Sequence, residues 1–216
     1  MIHHHPADEL LFDFATGAQA EALALAVATH LPFCPTCRAT VAGLEAVGGA
    51  LLRDLEPAAM SEGALTACLA ELDAPVTNQA SRPRLHRAPA RTPEALRRYL
   101  GDDLTSIAWQ SVGGFFDEMK LPALTPGYRV SMVRVAPGGH VPEHGHDGNE
   151  YMVVLAGSYR SGGRHYQLGD FSSCDGSEEH TPIADQGEDC ICLLVLDGPL
   201  AFRDPDGWRI SPLLTM

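Results

Sequence analysis

Two cysteines and a histidine near the N-terminus have the types and spacing of metal ligands. Cys34 and Cys37 form a C-x2-C pair, and His30 precedes Cys34 by four residues. Two thiolates on one tight turn suit a tetrahedral zinc ion, whose bonds to sulfur are about 2.3 Å long. Pro32 should end the helix that carries His30, and Pro35 should begin the next helix. These residues therefore predict three zinc ligands at a corner between two helices.

A structural zinc site needs a fourth ligand, and the start of the chain offers three histidines, His3, His4 and His5. The spacing alone does not choose among them. Three histidines are too few for a purification tag, so we treat them as part of the protein. Two other interpretations of the C-x2-C pair stay open, a redox-active pair and two reduced core cysteines. A thioredoxin-like redox pair would be expected between a strand and a helix, which is not the predicted setting here.

A second group of potential ligands lies in the C-terminal half. His144 and His146 form an H-x-H pair, which places both imidazoles on one side of an extended strand. Glu150 follows a tight turn and can fold back to the same pocket, and His180 could complete the set from a facing strand. Histidines with a carboxylate suit zinc, iron(II), manganese or nickel. The residues predict a metal site without selecting the metal.

Helical and strand patterns occupy different parts of the chain. Apolar periodicity predicts helices over residues 7–15, 18–31, 35–54 and 62–73. From Trp109 onward, short apolar or alternating runs separated by Gly-rich turns predict many short strands, as in a sandwich or jelly roll. The expected fold class is therefore multidomain α + β, with a small helical bundle followed by a β-barrel or jelly roll.

A change in composition separates the two parts. Residues 75–93 contain four prolines and four arginines, with no acidic residue and no apolar periodicity. This composition is typical of a semi-extended, solvated linker. We therefore expect a helical domain over residues 1–74, a linker over 75–93 and a second domain over 94–216.

Charge and cysteine content exclude several classes of protein. The 216-residue chain has a formal net charge of -13, which argues against direct nucleic-acid binding by the chain as a whole. Residues 1–74 contain ten acidic and two basic residues, and this surface could attract a basic partner or simply maintain solubility. No apolar run is long enough for a membrane span and no signal-peptide pattern is present. Six cysteines without an export signal favour the reducing cytoplasm.

The C-terminal ligand group resembles the first motif of the cupin family, G-x5-H-x-H-x3-E-x6-G. Every fixed position of this motif is met from Gly138 to Gly157. In the second motif, Gly169 and His180 match. Three further positions depart from the usual proline, glycine and asparagine: Asp175, Ser177 and Ala184. The resemblance implies a small β-barrel or jelly roll over about residues 105–205.

The combination of an H-x3-C-x2-C helical part with one cupin domain resembles the ChrR family of zinc-containing anti-sigma factors. Five segments carry this resemblance: 4–11, 27–31, 46–49, 179–182 and 189–193. The resemblance implies that four N-terminal residues hold structural zinc: His5, His30, Cys34 and Cys37. It implies that four cupin residues hold a second metal, zinc or another divalent transition metal: His144, His146, Glu150 and His180.

The same resemblance implies a function. The N-terminal domain would bind an extracytoplasmic-function sigma factor and block its access to RNA polymerase. The cupin domain would make release of the sigma factor responsive to singlet oxygen or a related oxidant. The alternative is an enzyme, a metal-dependent cupin dioxygenase or isomerase with a helical accessory domain. We expect a binding protein, because such an enzyme does not need an acidic helical zinc domain.

Overall fold

A computed structural model describes residues 2–73, 92–203 and 209–210 of the chain. Most of the predicted linker, 75–93, lies outside the described residues, so the domain boundaries stay a prediction. The last two linker positions are described. Thr92 is fully buried, and Pro93 directly precedes a helix.

Helices occupy most of the N-terminal part. The α-helices are α1 (Asp8–Thr16), α2 (Glu21–His30), α3 (Pro35–Arg53), α4 (Ala64–Asp73) and α5 (Glu94–Leu100), and a 3-10 turn spans Leu104–Ser106. The first four helices agree with the four predicted ones to within three residues at each end, and α5 was not predicted. Among the described residues, no single helix is long and apolar enough to cross a membrane; α1 and α2 reach that length only as a pair bent by 110°.

Short antiparallel strands form the rest of the structure. They are β1 (Gln110–Val112), β2 (Phe116–Lys120), β3 (Arg129–Val135), β4 (His144–His146), β5 (Glu150–Ala156), β6 (Ser158–Ser161), β7 (Arg164–Gln167), β8 (Phe171–Cys174), β9 (Ile183–Ala184), β10 (Cys190–Leu196), β11 (Leu200–Arg203) and β12 (Arg209–Ile210). The largest sheet has six strands in the order β1-β2-β3-β10-β5-β8. Two three-stranded sheets, β12-β11-β4 and β7-β6-β9, complete the barrel-like domain. The predicted fold class is confirmed.

Both faces of the six-stranded sheet are buried. Along β10, Cys192, Leu194 and Leu196 belong to the apolar cluster on the barrel side. The alternate residues Leu193 and Val195 belong to the cluster that includes the helices. Because successive side chains of a strand point to opposite faces, burial on both sides explains why this strand reads as a continuous apolar run.

Helix α2 packs on the outer face of this sheet. Ala22 and Ala26 are fully buried, and with Leu25 they join the same core as Val153 and Leu193. Small side chains allow the helix to approach the sheet closely. The helical and β parts therefore share one hydrophobic core, which the apolar pattern of α2 alone does not reveal.

Replacing Ala26 with leucine should destabilise the protein by about 1–3 kcal/mol, because the added carbons have no space between α2 and the sheet. Chemical denaturation followed by circular dichroism measures this change. Ala46→Leu is the matched control, since Ala46 lies within α3 and is exposed. The control should change stability by less than about 0.5 kcal/mol. Equal effects of the two substitutions would contradict close packing at Ala26.

Candidate metal centres

The four predicted N-terminal ligands meet at the corner between α2 and α3. One ligand atom from each of His5, His30, Cys34 and Cys37 lies within 4.8 Å of the others. His5 Nδ1 lies 3.3 Å from Cys34 Sγ and 3.4 Å from Cys37 Sγ. His30 Nε2 lies 3.4 Å from Cys37 Sγ. A tetrahedral zinc ion would separate nitrogen and sulfur ligands by roughly 3.5 Å, so the donors have the spacing that this geometry requires.

Local backbone structure positions the two thiols. Cys34 is the N-cap of α3, with extended backbone angles, and Pro35 provides the first helical position. The Cys37 backbone N–H donates to Cys34 Sγ at 3.4 Å. His30 is the last residue of α2, so its ring lies beside the start of the next helix.

Burial controls the protonation of these ligands. Cys34 and Cys37 are almost completely buried, and His30 is fully buried. Burial and the neighbouring Cys34 raise the pKa of the Cys37 thiol to about 12. Burial lowers the pKa of His30, although a hydrogen bond to the Gly169 carbonyl opposes this effect. A divalent metal ion would displace thiol protons and compensate the thiolate charges in this buried corner.

The orientation of His30 is fixed by its second ring nitrogen. Nδ1 donates to the Gly169 carbonyl at 2.7 Å. A neutral imidazole that donates from Nδ1 has its lone pair on Nε2, and Nε2 is the atom that faces Cys37. This is the usual arrangement of a metal-binding histidine and its supporting carbonyl.

The structure distinguishes His5 from the two histidines before it. The His3 side chain is exposed, and its backbone N–H donates to Asp170. His4 Nε2 donates to the carbonyl of His165 at 3.0 Å. Of the three N-terminal histidines, His5 is the one whose ring nitrogen lies beside both thiols.

The four predicted cupin ligands meet inside the barrel. His144 and His146 come from β4, Glu150 begins β5, and His180 pairs with His144 from the facing segment. Glu150 Oε2 lies 3.7 Å from His144 Nε2 and 3.6 Å from His146 Nε2. Glu150 Oε1 lies 3.6 Å from His180 Nε2. All four side chains are buried or nearly so, and their ligand atoms lie within 4.8 Å of one another.

Several nitrogen atoms in this cluster lack the partners that buried polar groups normally have. The Pro142 carbonyl accepts from His144 Nδ1 at 2.9 Å, so a neutral His144 carries its lone pair on Nε2. That atom lies 2.9 Å from His180 Nε2. Neither ring nitrogen of His146 has a hydrogen-bonding partner among the described residues. Buried polar groups are usually satisfied, and a metal ion at the centre of the four residues would satisfy these nitrogens.

The electrostatics of the cluster favour the metal-binding protonation states of Glu150 and His180, whereas at His146 burial is outweighed by the carboxylate of Glu150, which raises the pKa of that histidine. Burial by itself raises the pKa of Glu150, but the imidazoles of His144 and His146 outweigh it and hold that pKa far below its usual range. Burial lowers the pKa of His180 to about 4. An ionised carboxylate and a neutral imidazole are the forms that bind metals.

One neighbour of this cluster was not identified from the sequence. Cys174 Sγ lies 3.8 Å from His180 Nδ1, and burial raises the pKa of the Cys174 thiol to about 12. Its position follows from the pairing of Cys174 with Glu150 across β8 and β5. No local sequence signal reveals this register, because it depends on residues more than twenty positions apart.

The fold and the two donor sets define a cupin domain preceded by a helical corner of two thiols and two imidazoles. Residues 102–201 match a family model described as the ChrR cupin-like domain. The anti-sigma-E factor ChrR of Cereibacter sphaeroides is 41% identical over 203 residues, which is 94% of this chain and 93% of that protein. The crystal structure of Rhodobacter sphaeroides SigE in complex with the anti-sigma ChrR is also similar, with a TM-score of 0.78 and 38% identity over 91% of this chain and 100% of that chain. The protein belongs to the ChrR family of anti-sigma factors.

Substituting His5 with alanine should lower metal retention at the N-terminal site, because the ring nitrogen beside both thiols is lost. The metal content after dialysis against a chelator should fall by about one ion per chain, since each four-ligand set holds one ion. His3→Ala is the matched control and should retain the metal, because His3 contributes only its backbone to the described contacts. Equal loss from both variants, or no loss from either, would contradict the assignment of His5.

Proposed function

We propose that this protein is an anti-sigma factor that sequesters an extracytoplasmic-function sigma factor and releases it under oxidative stress of the singlet-oxygen type. The N-terminal helices would block the access of the sigma factor to RNA polymerase, which places the protein in the cytoplasm. The observation that supports this proposal most is an unpartnered apolar surface on α3 and α4. It occurs in a chain that is 38% identical to a ChrR crystallised with SigE.

The exposed apolar side chains are concentrated in one part of the described chain. Twelve large apolar residues are exposed, and eight of them lie between positions 47 and 72. These eight define the apolar surface: Val47, Leu51, Leu52, Leu55, Met60, Leu65, Leu69 and Leu72. On α4 the three leucines recur at i, i+4 and i+7, which is the pattern of a helix face that packs against a partner. A surface of this kind in a soluble protein indicates a protein–protein interaction site.

Acidic residues border the apolar surface. Glu45 precedes it on α3 and Asp54 follows the end of that helix, and both side chains are exposed. Rim charges of this kind mainly affect the rate of encounter with an oppositely charged partner. We therefore infer that the apolar residues provide most of the binding affinity. The acidic residues would raise the rate of association with a basic surface of the sigma factor.

The proposed metals have different roles. Zinc at His5, His30, Cys34 and Cys37 would fix the corner between α2 and α3, and so the direction of the helix that carries three of the eight residues of the apolar surface. Because metal affinity in small domains contributes to folding, loss of this zinc would also loosen the helices. Zinc or another divalent transition metal at the cupin site would take part in the response to the oxidant.

Two cavities border the cupin ligands, and the one beside Glu150 admits a small oxidant. The cavity beside Glu150 has a volume of about 50 Å³ and is lined by apolar side chains together with Cys190 and Cys192. Binding pockets for small molecules usually have volumes of about 300–1,000 Å³, whereas a water molecule occupies about 30 Å³ in the liquid. A diatomic oxidant fits this space. A second cavity, of about 410 Å³, lies beside His180 and is large enough for an organic molecule, so the preference for an anti-sigma factor over an enzyme rests on the comparisons and not on cavity size.

Cys190 and Cys192 border that cavity without the properties of reactive thiols. Their sulfur atoms are 3.8 Å apart, and both residues are buried in β10. The hydrogen bond to Cys190, followed by burial, raises the pKa of the Cys192 thiol well above its usual value. A protonated thiol is a poor nucleophile, so we favour an ordinary packing role and place the metal site first in the response.

Aspartate at Leu51 or Leu69 should weaken binding of the sigma factor at least about tenfold, because a charge would be buried in the apolar contact. Calorimetric titration with the sigma factor from the same organism measures the change. Phe115→Asp is the control, since Phe115 is also apolar and exposed but lies between β1 and β2 on the cupin domain. Equal weakening by all three variants, or no weakening by the leucine variants, would contradict the assigned surface.

Alanine at both His144 and His146 should abolish the response to oxidant without abolishing inhibition, because the apolar surface lies outside the cupin domain. A reporter of sigma-dependent transcription should stay low without singlet oxygen and stay low in its presence. Constitutive transcription would mean that the cupin domain is part of the inhibitory contact. Normal induction would mean that the cupin metal is not part of the sensor.

A further inference from the structure

The turn between β7 and β8, residues 167–171, contacts the N-terminal metal centre directly and is connected to the cupin centre through β5. It lies at the edge of the barrel where the N-terminal segment and the end of α2 pack against the cupin domain. Neither metal centre includes a residue of this turn. Its contacts nevertheless determine where two of the four N-terminal ligands lie.

Asp170 holds the segment that leads to His5. Its Oδ1 accepts the backbone N–H of His3 at 2.8 Å and of His4 at 3.2 Å. Its Oδ2 accepts the backbone N–H of Gln167 at 2.9 Å. The carboxylate is 1% exposed, and three N–H donors replace the water that burial removes. The position of His5 therefore depends on a side chain in the cupin domain.

Backbone hydrogen bonds around Asp170 also join the N-terminal segment to the cupin domain. The Phe171 N–H donates to the His4 carbonyl at 3.0 Å, so residues 4 and 171 are also joined directly. The Gly169 carbonyl accepts from His30 Nδ1, which fixes the second N-terminal imidazole. Gly169 has a positive φ of 86°, and a Cβ there would lie 2.5 Å from Phe33 Cβ. Only glycine permits this close approach.

The turn is also connected to the cupin ligands, through hydrogen bonds to β5. The Gly169 N–H donates to the Val154 carbonyl at 2.8 Å, and the Val154 N–H donates to the Asp170 carbonyl at 3.1 Å. Strand β8, which follows the turn, pairs with β5 so that Cys174 lies opposite Glu150. The ligand Glu150 lies four residues before Val154 on the same strand. A displacement of β5 by the cupin metal would therefore move the turn.

These contacts divide the N-terminal ligands into two groups. His5 and His30 are held by the turn, whereas Cys34 and Cys37 belong to the start of α3. The same helix continues to the apolar surface. A metal ion bound by all four residues would therefore join the cupin domain to α3.

We propose that the β7–β8 turn couples the two metal centres, with Asp170 as the positioning residue. This inference rests on the proposed function, because it requires metal at both centres. Occupancy of the cupin centre holds β5 and the turn in the arrangement that presents His5 and His30 to the thiols. By reciprocity, metal at the N-terminal centre strengthens binding at the cupin centre by the same factor. A change of this size is small compared with the high affinity of a four-ligand zinc site. Loss of the cupin metal alone therefore leaves metal bound at the N-terminal centre.

Cobalt substitution tests the coupling in the full-length protein. The cobalt–thiolate absorption band reports the N-terminal centre alone, because the cupin ligands contain no sulfur. The cobalt affinity of the N-terminal centre is measured from this band by competition with a chelator. The proteins compared are wild type, Glu150→Gln, Asp170→Asn and the double variant. Weakening metal binding at the cupin centre through Glu150→Gln should weaken the N-terminal centre at least about fivefold in the wild-type background. In the Asp170→Asn background the same change should be less than about twofold.

Asp117→Asn is the matched control for the loss of a carboxylate. Asp117 pairs with Arg134 on β2 and β3, away from the turn, so the fivefold effect should persist in its background. An effect that persists in the Asp170→Asn background, or one that is absent from wild type, would overturn the coupling. If the thiolate band never forms, both the coupling and the proposed N-terminal metal site are wrong. A normal band with no coupling overturns the coupling alone, and sigma binding plays no part in either result.

Hydrogen exchange gives a second measurement that does not depend on the folding of Asp170→Asn. The amides of His3, His4 and Phe171 are donors in the contacts of the turn. With metal binding at the cupin centre weakened by Glu150→Gln, peptides that contain these amides should exchange at least about fivefold faster than in the metal-loaded wild type, because local opening is then more frequent. Equal exchange in the two proteins would overturn the proposal.

Discussion

The constraint on which the structure depends is a six-stranded sheet that is buried on both faces. One face lines the barrel that contains the cupin ligands, and the other face receives α2 and α5. Because side chains alternate along a strand, successive residues of β5 and β10 pack alternately into the two cores. Leu193 packs with the helices while Cys192 and Leu194 face the barrel. Both metal centres are therefore positioned by the same few strands, from opposite sides.

Burial of the ligands makes an unoccupied centre costly. His30, His144 and His146 are buried, and the Cys37 thiol, whose pKa is raised by burial, would carry charge only with a compensating cation. At the cupin centre, neither ring nitrogen of the buried His146 has a hydrogen-bonding partner among the described residues. Desolvated polar groups without partners destabilise a fold by about 1–3 kcal/mol each. The same arrangement that makes these residues poor packing elements makes them good ligands.

Both groups of candidate ligands could be found from the sequence because each is mostly local. The C-x2-C motif places two candidate ligands on one turn, and the H-x-H motif places two on one strand. Their proximity does not depend on how the rest of the chain folds. The choice of His5 over His3 and His4 could not be made from spacing, because a carboxylate more than 160 residues away decides it. Helix α5 was missed because it has only seven residues and follows a segment rich in proline and arginine. The shared core was missed because the apolar positions of α2 predict burial but not the partner against which they are buried.

The acidic residues of the N-terminal half have a consequence for the protein when it is alone. Glu45, Asp54, Glu56, Glu62 and Glu71 are exposed among the leucines of α3 and α4. Two copies of the chain that approached each other through these leucines would bring like charges together. Charged residues interspersed in an apolar surface are the means by which natural proteins limit self-association. The surface is thus selective by repulsion as well as by contact, since it rejects its own copy and accepts a partner of opposite charge.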